Sequence, residues 1–164
     1  MSTKHLPENA TRTEDVGLAR REAGVPATRT ALAHVEDDLM HADKICIEGL
    51  EVWANHGVYP EETALGQKFV VSLTIYADTS RAGATDDLDA SIDYGAVAHD
   101  VDAFLRDNTY KLIEAAAEGV AALVLRRYPA ALGVRVRLEK PWAPVGLPLA
   151  TVAVEIERTR AAIR

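Results

Sequence analysis

Val134-Arg135-Val136-Arg137-Leu138-Glu139-Lys140-Pro141 alternates strictly. Val134, Val136 and Leu138 share one side of an extended chain, and Arg135, Arg137 and Glu139 share the other. Such a segment is a strand with one buried face. Lys140 falls on the apolar parity at the strand's last residue, and Pro141 removes a backbone donor and ends the ladder. An ammonium placed where apolar side chains point loses hydration, which favours its neutral form and suits it to proton transfer. A lysine that merely snorkels out of a strand end occupies the same kind of position. Lys140 is a candidate whose support has to come from the rest of the chain.

Working outward, the neighbouring segments supply a frame. After a Pro/Gly-rich loop over 141–148, Thr151 to Glu157 reads as a last strand, with Val152, Val154 and Ile156 pointing inward. Lys44 to Trp53 reads as a first strand in which Gly49 shifts the apolar parity from Ile45 and Ile47 to Leu50 and Val52, as a bulge does. Gln67 to Asp78 reads as a second strand, with Phe69, Val71, Leu73 and Ile75 opposite Lys68, Ser72, Thr74 and Asp78. A turn-rich acidic connector, Ser80 to Asp89, leads to a helix over Tyr94 to Asp107. Its stripe is Val97, Val101, Phe104 and Leu105, and Ser91 or Asp93 is placed to cap it. Asn108-Thr109 is placed to cap a second helix through Tyr128, striped by Ile113, Ala116, Ala117, Val120 and Val124. The order β-β-α-α-β-β predicts an α+β fold, an antiparallel four-stranded sheet with both helices on one face. Long, uncovered edge strands lead us to expect a homo-oligomer closed by sheet continuation.

Composition sets the bounds. The 164 residues suffice for one domain with a real core. A net charge of -7 argues against nucleic acid as a partner, because phosphate binding needs a basic patch. No apolar run approaches the roughly 18 residues of a membrane span. Lys4, Glu8, Arg12, Glu14 and Asp15 have no apolar segment behind them, so no secretory signal is expected. The single cysteine, Cys46, has no partner for an internal disulfide, and between Ile45 and Ile47 it reads as a small buried hydrophobe. A cytoplasmic location fits these features. Residues 1–42 are polar and read as a flexible or partly helical extension, with Leu32, Val35 and Leu39 at helical spacing. Residues 43–160 form the domain, and 161–164 a tail. The five histidines show no ligand spacing and one cysteine cannot build a zinc site, so no metal is expected.

Four short motifs sit on this frame. They are His56-Gly57 with Glu61-Glu62 and Leu65-Gly66-Gln67, then Ser91-Ile92-Asp93-Tyr94-Gly95, then Leu112-Ile113-Glu114-Ala115-Ala116-Ala117-Glu118, and finally Leu138-Glu139-Lys140-Pro141. In this order and spacing they resemble dihydroneopterin aldolase, over roughly residues 43–160. The resemblance implies a tunnelling fold whose sheets join into a β-barrel ring. It implies a pterin substrate and retro-aldol cleavage of 7,8-dihydroneopterin, with no cofactor. It also implies Lys140 and Tyr94 as catalytic residues, and Glu62, Tyr94, Ile113 and Glu114 as substrate-binding residues.

Glu114 would accept two hydrogen bonds from the planar 2-amino and N3 edge of the pterin. Glu62 would hold the substrate hydroxyls or a catalytic water. Read without the resemblance, Glu114 is a solvated helix glutamate and Tyr94 a core-edge residue at a helix start. Homo-octamers of stacked tetramer rings, with pockets between subunits, are implied as well. Asp93 stands where relatives often carry histidine, a difference that bears on the pocket rim. Two alternatives share the resemblance: a dihydroneopterin (triphosphate) 2′-epimerase, and a catalytically silent oligomeric pterin-binding scaffold.

Overall fold

The structure, a computed structural model, describes Leu39 and residues 41–160. Apart from Leu39, the helix expected near 30–40 lies outside the described residues, as do most of the extension over 1–42 and the tail over 161–164. Four strands, β1 (Asp43–Ala54), β2 (Gln67–Ala77), β3 (Gly133–Lys140) and β4 (Val152–Thr159), form one sheet in the order β1-β2-β3-β4. Every neighbouring pair is antiparallel.

The alternation seen in the sequence sets the register. Leu73 lies opposite Ile47 on one side and Val136 on the other, and Val71 lies between Leu50 and Leu138. Cross-strand apolar pairs of this kind fix pairing, because a one-residue slip would turn the whole set to solvent. The expected bulge is present: the β1–β2 register shifts between Ile47 and Leu50. Gly49 there adopts φ 71°, a left-handed conformation that a side chain would strain, and its N–H donates to Ser72 Oγ at 3.1 Å.

Two long helices cover the apolar face. The first long helix is preceded by two short ones, α1 (Pro60–Leu65) and α2 (Ser80–Thr85), and a 3-10 turn at Leu88–Ala90. None of the three was expected, since elements this short leave no room for periodicity. Helix α3 (Tyr94–Asp107) begins at Asp93, whose Oδ1 accepts from the N–H groups of Gly95 (2.8 Å) and Ala96 (3.0 Å). It buries Val97, Val101 and Leu105. Helix α4 (Ile113–Arg127) buries Ala116, Ala117, Val120, Ala121, Val124 and Leu125.

The structure corrects two expectations. Asn108 does not cap α4. Its Nδ2 donates back to the Phe104 carbonyl at 2.7 Å, satisfying an orphan acceptor at the end of α3, and α4 starts only at Ile113 with no side-chain cap. Cys46 is exposed rather than buried. It pairs with Thr74 on the outer face of the sheet, while Ile45 and Ile47 face the helices.

That outer face is polar. Arg135 reaches Glu157 at 2.9 Å, Arg137 reaches Glu139 at 3.1 Å, and the Tyr76 hydroxyl donates to Glu157 at 2.8 Å. Exposed ion pairs contribute at most about 1 kcal/mol each, so the fold rests on the buried side. Val136→Ala should therefore lower unfolding free energy by roughly 2 kcal/mol, from two lost methylenes plus a residual cavity. Arg137→Ala, the next residue, should cost less than about 1 kcal/mol. Urea unfolding of the two variants checks the assignment, and the reverse ranking would contradict it.

Candidate active site

The site lies at one end of the sheet and is built around a carboxylate. Pro60, pre-set for a first helical turn, opens α1 and puts Glu62 in its third position. Glu62 Oε2 accepts from the backbone N–H groups of Val58 and Tyr59, both at 3.1 Å. Oε1 accepts from Gln67 Nε2 at 3.0 Å and stands 2.5 Å from Lys140 Nζ. The two charged side chains are 11% (Lys140) and 9% (Glu62) exposed. Burial pushes the Glu62 carboxyl up, but the Lys140 ammonium, the Tyr59 N–H and the Gln67 amide outweigh it and hold it below the ordinary glutamate value.

Gly57 is required by this arrangement. A Cβ there would fall 2.4 Å from both Glu62 Cδ and Oε2. Its neighbour His56 is wholly buried, its ring against Phe69 (5.0 Å between centroids) and Tyr110 (5.6 Å). His56 Nδ1 accepts from the Tyr110 N–H at 3.2 Å, and Gly57 N–H donates to the Tyr110 carbonyl at 2.9 Å. Burial, reinforced by the nearby Lys140 ammonium, pushes the imidazole down to about 4.

A cavity of about 580 Å³ opens beside the Lys140–Glu62 pair, a size suited to a small heterocycle. Val58, Tyr59, Glu62 and Lys140 line one side; Leu112, Ile113 and Glu114 at the start of α4 line another; Ala143, Pro144 and Val145 complete the wall. Glu114 is exposed and sits in the first turn of α4, where unpaired backbone N–H groups favour negative charge. The loop after Lys140 is held from outside: Trp142 meets Trp53 edge-on at 5.9 Å, and Lys68 lies 5.8 Å over the Trp142 ring.

Four of the five expected site residues, Glu62, Ile113, Glu114 and Lys140, line this one cavity. Tyr94 does not. It is 66% exposed at the start of α3, outside the cavity lining of its own chain. Asp93, engaged as the α3 cap, likewise lies outside the cavity lining of its own chain. Sequence reasoning assigned no role to Gln67 or His56. The signal for Gln67 was available: it shares the parity of Phe69 and Val71, the same polar-on-apolar anomaly that marks Lys140.

His56 sets a pH dependence. Its folded value lies below its unfolded one of 6.5, so between those values the unfolded chain binds a proton that the folded chain does not. Stability is full above about 6.5 and falls as pH drops towards 4. Between pH 7 and 5 the loss should be roughly 2 kcal/mol, and below that window Glu62, also depressed, adds to it. Urea unfolding across this range checks the slope. His56→Asn should flatten it, and an unchanged slope would contradict the assignment.

The family model for dihydroneopterin aldolase (FolB) matches residues 45–157. The dihydroneopterin aldolase of Methylorubrum extorquens is 40% identical over 119 residues, covering 73% of this chain and 92% of that protein. That of Bacillus subtilis is 38% identical over 118 residues, covering 72% of this chain and 98% of that protein. The crystal structure of Escherichia coli dihydroneopterin aldolase in complex with neopterin superposes with a TM-score of 0.66 at 34% identity. It covers 71% of this chain and 98% of that chain. The matched segment spans the sheet, apart from the outer ends of β1 and β4, and the whole cavity lining, and on these grounds the chain belongs to the dihydroneopterin aldolase family.

Proposed function

We propose that this protein cleaves 7,8-dihydroneopterin by a retro-aldol reaction, giving 6-hydroxymethyl-7,8-dihydropterin and glycolaldehyde for tetrahydrofolate biosynthesis. The observation that carries this reading is one cavity, in a chain of this family, with the Lys140–Glu62 pair on one wall and Glu114 on another. Glu114 binds the 2-amino and N3 edge of the pterin, a donor pair that a carboxylate matches in bidentate fashion. Ile113 presents its backbone to the same ring.

Loss of the proton from the side-chain 2′-hydroxyl lets that oxygen form the aldehyde carbonyl as the C1′–C2′ bond breaks. The bonding pair moves into the ring's C6=N5 imine and makes an enamine. Protonation at C1′ then gives the hydroxymethyl product. The substrate supplies its own electron sink, so the chemistry requires neither a Schiff base nor a metal. Lys140, with Tyr94 and a water, moves the protons. The acceptor positions of Glu62 already meet four protein donors, so its part is to hold Lys140 rather than to grip the substrate.

In this reading Tyr94 completes the cavity of a neighbouring subunit, within tetramer rings that stack as octamers. Its exposure supports this, as do two outer strands, β1 and β4, with one partner each among the described residues. A cytoplasmic location goes with it; no helix among the described residues is long and apolar enough to cross a membrane. A triphosphate-directed epimerase would want a basic cluster at the cavity. Arg135 and Arg137 instead lie on the opposite face, paired with Glu157 and Glu139. A silent scaffold gives no reason for a lysine and a glutamate paired at the cavity wall.

Lys140→Ala should lower kcat by about 100-fold or more, the usual weight of a general acid/base, while neopterin still binds. Glu114→Gln should weaken pterin affinity by roughly 10- to 100-fold, because one charged acceptor is lost. Steady-state kinetics with neopterin titrations separate the two effects. Near-wild-type turnover by Lys140→Ala would defeat the proposed role.

A further inference from the structure

His56 is fully buried, and the mechanism above gives it nothing to do. Its ring links the two loops that lead into the cavity-lining residues. Residues 55–59 lead into α1 and Glu62, and residues 108–112 lead into α4 with Ile113 and Glu114. The second loop is neither helix nor strand, so its backbone groups need partners from elsewhere. Tyr110 finds both in the first loop: its N–H donates to His56 Nδ1 at 3.2 Å, and its carbonyl accepts from Gly57 N–H at 2.9 Å.

The bridge is braced from behind. The Tyr110 ring lies against Phe104 of α3, 6.1 Å between centroids. Both crowd Gly119 of α4, where a Cβ would fall 2.6 Å from Phe104 Cζ and 3.0 Å from the Tyr110 hydroxyl. An accepting Nδ1 leaves the ring's proton on Nε2, which has no partner among the described residues. An apolar side chain of similar size would fill the same space but would leave the Tyr110 N–H without its acceptor.

We propose that His56 is a positioning residue for the aldolase reaction: through Tyr110 it fixes the Glu114 wall relative to the Lys140–Glu62 wall. This rests on the function proposed above. A substrate held by Glu114 and protonated by Lys140 reacts well only if the two walls keep their spacing, and a shift of about 1 Å can cost roughly 100-fold.

Two substitutions separate positioning from simple packing. His56→Leu fills the space but accepts no hydrogen bond. His56→Asn loses ring volume yet places Oδ1 near the Nδ1 position. Packing alone predicts that leucine serves better; positioning predicts that asparagine does, even if it melts at a lower temperature. For His56→Leu we expect kcat down about 10- to 100-fold with KM changed less, and faster amide exchange at Tyr110. For His56→Asn we expect kcat within about threefold of wild type and a protected Tyr110 amide. Should the leucine variant not fold, His56→Gln, whose amide sits one bond too far out, takes its place with the same expected loss.

A leucine or glutamine variant with wild-type kcat and a protected Tyr110 amide would overturn the proposal, as would an asparagine variant no better than either. A wild-type protein that forms no product would defeat the aldolase reading by itself. Tyr110 exchange and neopterin affinity then still decide the bridge: unchanged values in the leucine variant overturn it, and weakened values restored by asparagine uphold it.

Discussion

A carboxylate as little exposed as that of Glu62 costs several kcal/mol unless its lone pairs are met, and the end of the sheet is organised to meet them. Gly57 clears the space, and Pro60 sets the short helix that turns the side chain back onto the Val58 and Tyr59 N–H groups. Gln67 opens β2 with an amide aimed at it, and Lys140 closes β3 with an ammonium. The β1–β2 connection and the start of β2 are thereby tied to the end of β3, far along the chain. Removing any single donor would leave a buried charge short of a partner, so the cluster stands or falls together.

The remainder of the fold holds that point steady. The apolar pairs across β1, β2 and β3 form a platform, and α3 and α4 cover it. Because Asn108 is engaged by the end of α3, α4 starts late, and Leu112, Ile113 and Glu114 arrive at the cavity with first-turn N–H groups unpaired. A late helix start thus brings the Glu114 carboxylate to the cavity that Lys140 also lines. The two tryptophans, packed on the outside, fix the loop that makes the third wall.

Much of this was legible in the sequence, for a physical reason. Alternation with period 2 marks each strand to within a residue or two, and the Gly49 parity shift marks the bulge. The position of Lys140 on an apolar parity pointed to the site before any contact was known, and Gln67 carried the same sign unread. What escaped was contact that no periodicity encodes. Asn108 could serve either of two helix ends, and only packing decides which. His56 gains its role from a loop more than fifty residues away. Cys46 was misjudged because two flanking isoleucines suggest burial, although alternation itself sends the middle residue outward. Tyr94 lies outside the cavity lining of its own chain, and pockets between subunits were an implication of the resemblance that a single chain does not display.

The central claim is that one chemistry, carbon–carbon cleavage with the pterin ring as electron sink, takes place beside Lys140. Its most direct test is incubation of the purified full-length protein with 7,8-dihydroneopterin, followed by oxidation and fluorescence chromatography of the pterins and an assay for glycolaldehyde. The account predicts hydroxymethylpterin and glycolaldehyde in equal amounts. Monapterin without hydroxymethylpterin, or unchanged substrate bound tightly by a folded protein, would contradict it.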